Sequence, residues 1–332
     1  MDEDTEHCRL NLPQPPPLAY YEQQRLKELD QYPKERCKTI IAFLWASLAA
    51  FANLLVLTII HDFVGRTAMP DLVFALVPQQ DWAWKAGDSL VGICVATTSV
   101  CILLHKHRWI VARRWMLMTA VLYTMRLVSL SATQLPASFS NNHVSCRPAA
   151  NRSSVRVIAA RLLEQLSMLG LQGSENGYLC GDLLFSGHTL VFTMCCFILN
   201  RYTPKRGWPL RCFMTAACLA GMVFMVICRS HYTVDVLFAY WLSTGTFSIY
   251  HAFCDATLTK RHDPSFSRLW VLWVVYQMEK NVPSGPIPNQ LDWPLPWPKV
   301  FSDALKCWSD DADDQTNRPT SSDRCYKKNQ RI

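Results

Sequence analysis

The segment TIIAFLWASLAAFANLLVLTII, residues 39–60, decides the fold class. Its 22 residues carry no charge and one Asn. As a helix it is long enough to cross a bilayer core of about 30 Å at roughly 1.5 Å per residue. Five more apolar blocks follow: Ser89–Leu104, Trp115–Ala132, Leu183–Leu199, Cys212–Cys228 and Tyr232–Phe253. The second, fourth and fifth of the six are near the short limit and are expected to extend by a few residues. A buried core helix can imitate one block of this kind. Six in a row, each reaching a polar loop, read as an all-α polytopic membrane protein with six transmembrane helices. The expected organisation is an N-terminal tail over 1–38, a six-span catalytic domain over 39–254 and a C-terminal tail over 255–332.

Composition excludes the main competitors. Half of the 332 residues are apolar and only 18% are charged, which rules out a disordered chain. The 14 cysteines lie mostly inside apolar blocks, where a thiol acts as a small hydrophobe, so a secreted disulfide module is not expected. Residues 1–37 are acidic and Pro-rich without an apolar run, so no cleavable signal peptide is expected.

Lysine and arginine set the orientation. They cluster before the first block (Arg25, Lys27, Lys34, Arg36, Lys38) and after the second (Lys106, Arg108, Arg113, Arg114). They cluster again after the fourth (Arg201, Lys205, Arg206, Arg211) and the sixth (Lys260, Arg261, Arg268). The opposite loops are poorer, so both termini are expected in the cytosol. The net charge of +7 is accounted for by topology and implies no nucleic-acid partner. The second lumenal loop carries the glycosylation sequon Asn151-Arg152-Ser153, and Cys146 and Cys180 are placed where they could pair. In the tail, Leu269–Tyr276 is too short to span and reads as interfacial, as does Trp293–Pro298. Cys307 and Cys325 are either free thiols or palmitoylation sites. His105 and His107 read as solvated residues of a cytosolic loop, and His251 as a core or snorkelling residue.

Charge inside an apolar block is costly, so the exceptions carry information. Asp235 sits one turn into the sixth block and His231 at its start. On one helix they would share a face, letting the carboxylate orient the imidazole. Packing alone is the plain alternative for an isolated HxxxD. His188, in Cys180-Gly181-Asp182-Leu183-Leu184-Phe185-Ser186-Gly187-His188-Thr189, starts the fourth block on the same membrane face. Ser186-Gly187 lets backbone approach a phosphate oxygen closely. Two imidazoles and a carboxylate on one face fit phosphoryl transfer through a histidine nucleophile.

Ser186-Gly187-His188 with His231-x-x-x-Asp235 resembles the lipid phosphate phosphatase superfamily. The longer strings around both histidines resemble the sphingomyelin synthase family. So do Tyr32-Pro33-Lys34-Glu35, Pro70-Asp71, Arg113-Arg114…Leu122-Tyr123…Arg126 and the Trp-Pro tail. The resemblance implies phosphocholine transfer from phosphatidylcholine to ceramide, giving sphingomyelin and diacylglycerol. It implies a lumenal or extracellular site in a multi-pass protein of the Golgi or plasma membrane, with self-association left open. Carried over by position, the catalytic residues are His188, His231 and Asp235. Two departures stand out. Met225 occupies the superfamily's arginine position, and Ser230 precedes the second histidine where family members tend to have an acid. Arg126 is expected to pair with a carboxylate or a phosphate oxygen. Asp182 is expected to meet the choline cation, hold a donor or lie solvated, and Glu164 is a weaker candidate of the same kind. No metal and no cofactor are expected. The alternatives are ethanolamine phosphotransfer to ceramide, a lipid phosphatase, and a non-catalytic transporter or scaffold.

Overall fold

The computed structural model describes residues 32–149, 155–168, 170, 177–257 and 270–292. Its helices are α1 (Arg36–Ile60), α2 (Leu72–Leu76), α3 (Trp82–Leu104), α4 (Arg108–Ala132), α5 (Asn142–Ser145), α6 (Val155–Ser167), α7 (Gly187–Tyr202), α8 (Trp208–Ile227), α9 (Thr233–Asp255) and α10 (Trp270–Glu279). Among the described residues there is no β-strand, only two isolated bridges. Every expected apolar block lies mostly within a helix. Among the described residues, four helical runs are long and apolar enough to cross a membrane: α1, α3, α4 and Lys205–Ile227, which contains α8. The fourth block yields the 16-residue α7 and the sixth the 23-residue α9.

Boundaries shift where charge interrupts the apolar pattern. Helices α3 and α4 each begin about two turns earlier than expected, taking in Lys85 and Asp88, and Arg108, Arg113 and Arg114. Helix α7 begins later than the block. Leu184 has a left-handed φ of 78°, and Ser186 then caps the helix by accepting the Thr189 amide.

Helix α1 lies along α4, while α3, α7 and α8 pack together and α9 joins α7 to α4. The main core combines Leu117, Met118 and Leu122 of α4, Leu190, Met194 and Ile198 of α7, and Ala239 and Phe253 of α9. A second cluster, Cys94, Phe192, Cys195 and Cys218, fills the seam of α3, α7 and α8 with thiols used as small hydrophobes. Gly221 leaves the space that the Phe192 ring occupies. Outward faces are apolar, with Phe43, Leu44 and Leu48 of α1 and Trp241 of α9 all exposed.

At the end of the bundle opposite His188, buried charges form a clamp. Glu279 receives Arg114 Nη2 at 2.7 Å, Arg113 Nη2 at 3.5 Å and the Tyr250 hydroxyl at 3.1 Å. Arg113 also donates to Glu35 at 2.8 Å, and Arg114 to the Tyr202 hydroxyl at 3.1 Å. The Tyr202 hydroxyl in turn meets His251 Nε2 at 2.8 Å. These contacts tie the residues before α1 and the end of α10 to α4, α7 and α9. Burial would raise the Glu279 pKa, but Arg114 and Arg113 hold it below the ordinary carboxylate value.

The reading of Leu269–Tyr276 gains detail. Helix α10 buries Leu272 and Val275 against the bundle while leaving Trp273 exposed. The expectation that His105 and His107 are solvated is overturned, since both are buried. The Lys106 amide donates to the Gln290 carbonyl at 2.9 Å, so the segment after α10 covers this loop. Burial lowers the His105 pKa to about 4, with His107 and Arg108 pushing the same way. Asn151, Trp293–Pro298, Cys307 and Cys325 lie outside the described residues.

Removing one member of a buried ion cluster leaves charge unpaired, at a cost of about 3–5 kcal/mol. Glu279→Ala should therefore lower the thermal unfolding midpoint of detergent-solubilised protein well below that of Asp255→Ala, which removes the half-exposed carboxylate paired with Arg201. Equal midpoints would show that the clamp does not hold the fold.

Candidate active site

His188 is the second residue of α7 and His231 lies two residues before α9, at the same end of the bundle. Their ring centroids are 6.1 Å apart. The expectation that His231 and Asp235 share a helical face is corrected. His231 precedes the helix, and Asp235 is the third residue of α9. There its carboxylate accepts the Tyr232 amide at 2.9 Å and the Leu184 amide at 2.9 Å. With both oxygens engaged, Asp235 Oδ2 stands 3.7 Å from His231 Nδ1, beyond hydrogen-bond distance but close enough for electrostatic pairing. The buried carboxylate therefore fixes both histidine loops. It caps α9 after His231 and holds the left-handed Leu184 ahead of His188.

Burial keeps the His231 pKa below its ordinary 6.5; Asp235 opposes this, while His188 and Arg126 reinforce it. The neutral imidazole, with a lone pair available, is the favoured form. The His231 amide donates to the Met225 carbonyl at 3.2 Å, and the Ser230 hydroxyl to the same carbonyl at 3.0 Å. Met225 and Ser230, the two departures expected from the sequence, thus brace the His231 loop.

Arg126 of α4 reaches the first loop. It donates to the Phe185 carbonyl at 2.9 Å and to Asn53 Oδ1 at 2.9 Å, and it pairs with Asp182. Asp182 thus holds a donor, one of the roles expected of it, while staying partly exposed to the two crevices beside it. The guanidinium lies against Gly187, where a Cβ would make an ordinary contact at 3.4 Å. Glu164 is placed elsewhere, in a two-pronged pair with Arg147 at 2.6 and 2.7 Å. Asp71 of the Pro70-Asp71 motif caps α2 and accepts the Thr233 amide at 2.8 Å, pinning the first loop to the start of α9. Cys146 and Cys180 form a disulfide.

Sequence reasoning missed Asp88. Its Oδ1 lies 2.9 Å from His188 Nε2, and its Oδ2 accepts the Trp84 indole N–H at 3.0 Å. A lone aspartate just ahead of an apolar block carried no local signal; only the fold brings it to His188, a hundred residues on. Trp84 also belongs to a stack with Tyr178 and Phe139, at centroid separations of 4.2, 5.3 and 5.8 Å. These three rings, Asp182 and both histidines line one crevice. A second cavity of ≈160 Å³ opens beside it, lined by Arg126, Asp182 and His188 together with Leu54, Leu57, Val91 and Val191. One wall is suited to a phosphate and a cation, and the other to hydrocarbon.

A family model described as PAP2 superfamily C-terminal matches residues 179–252, a span that contains both histidines and Asp235. The chain is 41% identical over 267 residues to phosphatidylcholine:ceramide cholinephosphotransferase 2 of Caenorhabditis elegans, covering 80% of each. It is 39% identical to putative phosphatidylcholine:ceramide cholinephosphotransferase 3 of that organism, over 79% of this chain and 76% of the relative. With phosphatidylcholine:ceramide cholinephosphotransferase 2 of Rattus norvegicus, identity is 32% over 84% of this chain and 78% of the relative.

Because Asp235 serves two backbone amides as well as His231, Asp235→Ala should destabilise the protein by about 1–3 kcal/mol, whereas His231→Ala removes no helix cap. Thermal unfolding in detergent checks this. A midpoint for Asp235→Ala no lower than that of His231→Ala would remove the capping role.

Proposed function

The chain belongs to the family of phosphatidylcholine:ceramide cholinephosphotransferases, and from that premise we propose that it makes sphingomyelin and diacylglycerol from phosphatidylcholine and ceramide. The observation that carries the reading is the pair of imidazoles, each beside its own carboxylate, lining one crevice, with His188 also bordering the adjoining cavity that has one polar and one apolar wall. His231 Nδ1 faces Asp235, which leaves Nε2 to attack phosphorus. Asp88 holds Nε2 of His188, so protonated His188 gives its Nδ1 proton to the departing diacylglycerol oxygen. A phosphocholine–His231 bond replaces the phosphate ester. The neutral His188 then takes the proton from the primary hydroxyl of ceramide as that oxygen attacks phosphorus and the bond to His231 breaks. Gly187 and the Arg126 guanidinium line the cavity beside His188 where the phosphate would lie, Asp182 holds Arg126 in place, and Ser186, fully buried, acts through the cap it gives α7.

The crevice of Trp84, Phe139 and Tyr178 favours choline over ethanolamine, since aromatic rings attract a quaternary ammonium that has no N–H to donate. The topology that accommodates this chemistry has six spans, α1, α3, α4, α7, α8 and α9, with both tails cytosolic and the site lumenal or extracellular. The membrane domain is 39–254 in this reading, between tails 1–38 and 255–332, in the Golgi or plasma membrane. Helix α7, about 24 Å long at 1.5 Å per residue, is shorter than the bilayer core, which recesses His188 below the membrane surface.

Purified protein in phosphatidylcholine vesicles should form sphingomyelin and diacylglycerol in equal amounts once ceramide is added. Rapid release of phosphocholine without ceramide would make it a hydrolase, and product only from phosphatidylethanolamine would make it the ethanolamine enzyme. His188→Ala, His231→Ala and Asp235→Ala should each lower transfer by about 10³-fold or more, and double variants should lose little further activity because the groups act as a unit. Near-normal activity in any well-folded single variant would remove that residue from the mechanism.

The pH profile gives an independent check. His231 attacks as the neutral base, and its pKa is depressed, so the neutral form survives to lower pH than for a free imidazole. The acid limb of the transfer rate should therefore lie below pH 6.5, the unperturbed histidine value. Because Asp235 pulls this pKa upward, Asp235→Asn should move the limb further down as well as lowering the plateau. A limb above that value would contradict the assignment of His231 as nucleophile.

A further inference from the structure

The chemistry above makes no use of α6, and the polarity of this helix is reversed for a water-exposed element. Arg161 and Gln165 face the protein, only 7% and 2% exposed. Arg161 binds Asp62, just past the end of α1, at 3.0 and 3.1 Å. The opposite face carries Val155, Ala159, Leu163 and Leu166, whose steps of four and three align them along one side of a helix. Val155 is 81% and Leu163 67% exposed, and the exposed Arg156 stands at the edge of this apolar face. In water such a helix would turn Leu163 and Leu166 inward and Arg161 outward beside Arg156.

Two features of the fold say what covers this face. Helix α6 packs on α1, whose Phe43, Leu44, Leu48 and Phe51 point outward, so the apolar face of α6 continues a surface that already faces hydrocarbon. It lies between the end of α4 and the start of α7, on the membrane side that holds both histidines. Gly170, just beyond α6, donates its amide to the Gln165 carbonyl at 2.8 Å and stands against Leu54 of α1. Gly170 and Leu54 both line the ≈160 Å³ cavity that reaches Asp182 and His188.

We propose that α6 is embedded in the leaflet on the active-site side, its apolar face among the acyl chains, and that with Gly170 it forms the lip over which a phospholipid enters the cavity. The partner is a phospholipid bilayer surface. A helix with one apolar and one charged face lies in the interfacial plane with its apolar side several ångströms deep. Entry from the bilayer rather than from water would present the His231 intermediate to a lipid hydroxyl before it meets water. The lip function rests on the transfer reading; the embedding of α6 does not.

A photoreactive benzoylphenylalanine placed at Leu163 of the full chain, reconstituted in phosphatidylcholine vesicles and irradiated, tests the embedding. Acyl-chain adducts identified by mass spectrometry are expected. A cross-linked pair of chains, or no adduct, would overturn the embedding, the first by showing a second copy on this face and the second by showing water. Leu163→Glu combined with Leu166→Glu tests the lip. Transfer from long-chain phosphatidylcholine in vesicles should fall about tenfold, while transfer from a short-chain, monomerically dissolved phosphatidylcholine stays unchanged. Equal loss with both donors, or no loss with either, would overturn the lip. If the unaltered protein transfers from neither donor, the transfer reading and the lip fall together, and cross-linking still decides the embedding.

Discussion

Asp235 has no access to water, so its carboxylate must find its hydrogen-bond donors inside the protein. The amides of Tyr232 and Leu184 supply them, and they belong to different loops. One loop carries His231 and the other leads into His188. The relative placement of the two imidazoles thus depends on a single buried charge. Leu184 and Arg229, one ahead of each histidine, adopt left-handed backbone that a side chain ordinarily avoids, with φ of 78° and 58°. The bond from Leu184 to Asp235 holds the first of them, and the bond from the Arg229 guanidinium to the Phe74 carbonyl at 2.8 Å anchors the second.

The same rule shapes the other end of the bundle. Among lipid tails, apolar side chains gain little by leaving one apolar neighbour for another, so polar links and close packing carry more of the helix association. Glu279 collects Arg113, Arg114 and Tyr250, and Asn53 joins α1 to α4 by donating to the Tyr123 carbonyl at 2.8 Å and accepting from Arg126 at 2.9 Å. Arg126 belongs to both structure and site. One of its bonds braces α1, while two others hold the loop before His188. The guanidinium lining the His188 cavity comes from α4, whereas the position six residues before His231 is Met225, a buried residue whose carbonyl braces the second loop.

Hydrocarbon periodicity and length made the long helices legible, because a span must satisfy its own backbone and present apolar side chains for some twenty residues. The ends of α3 and α4 were illegible for the same reason. An apolar window stops at Lys85, Asp88 or Arg114, yet the helix continues, because Asp88 and Arg114 find partners in the bundle and Lys85 stays exposed. The reversed α6 was hidden too, since a moderate apolar pattern in a polar loop does not say which face meets the protein.

His188, His231 and Asp235 could be picked out from sequence because each motif is local, and a charge beside an apolar block is too costly to be idle. Their division of labour could not. Whether Asp235 binds its histidine or the backbone depends on which amides reach it, and that is a matter of where the loop before α7 lies. Asp88 and the rings of Trp84, Phe139 and Tyr178 reach His188 from other elements of the chain. His105 becomes buried because Gln290 and Leu291, nearly two hundred residues later, fold over its loop. Sequence alone determined the apolar helices and the candidate reactive side chains, since hydrophobic length and local spacing are properties of a continuous stretch. Tertiary structure decided the partners, because hydrogen bonds and ion pairs act over a few ångströms, and only the packed bundle brings distant residues that close.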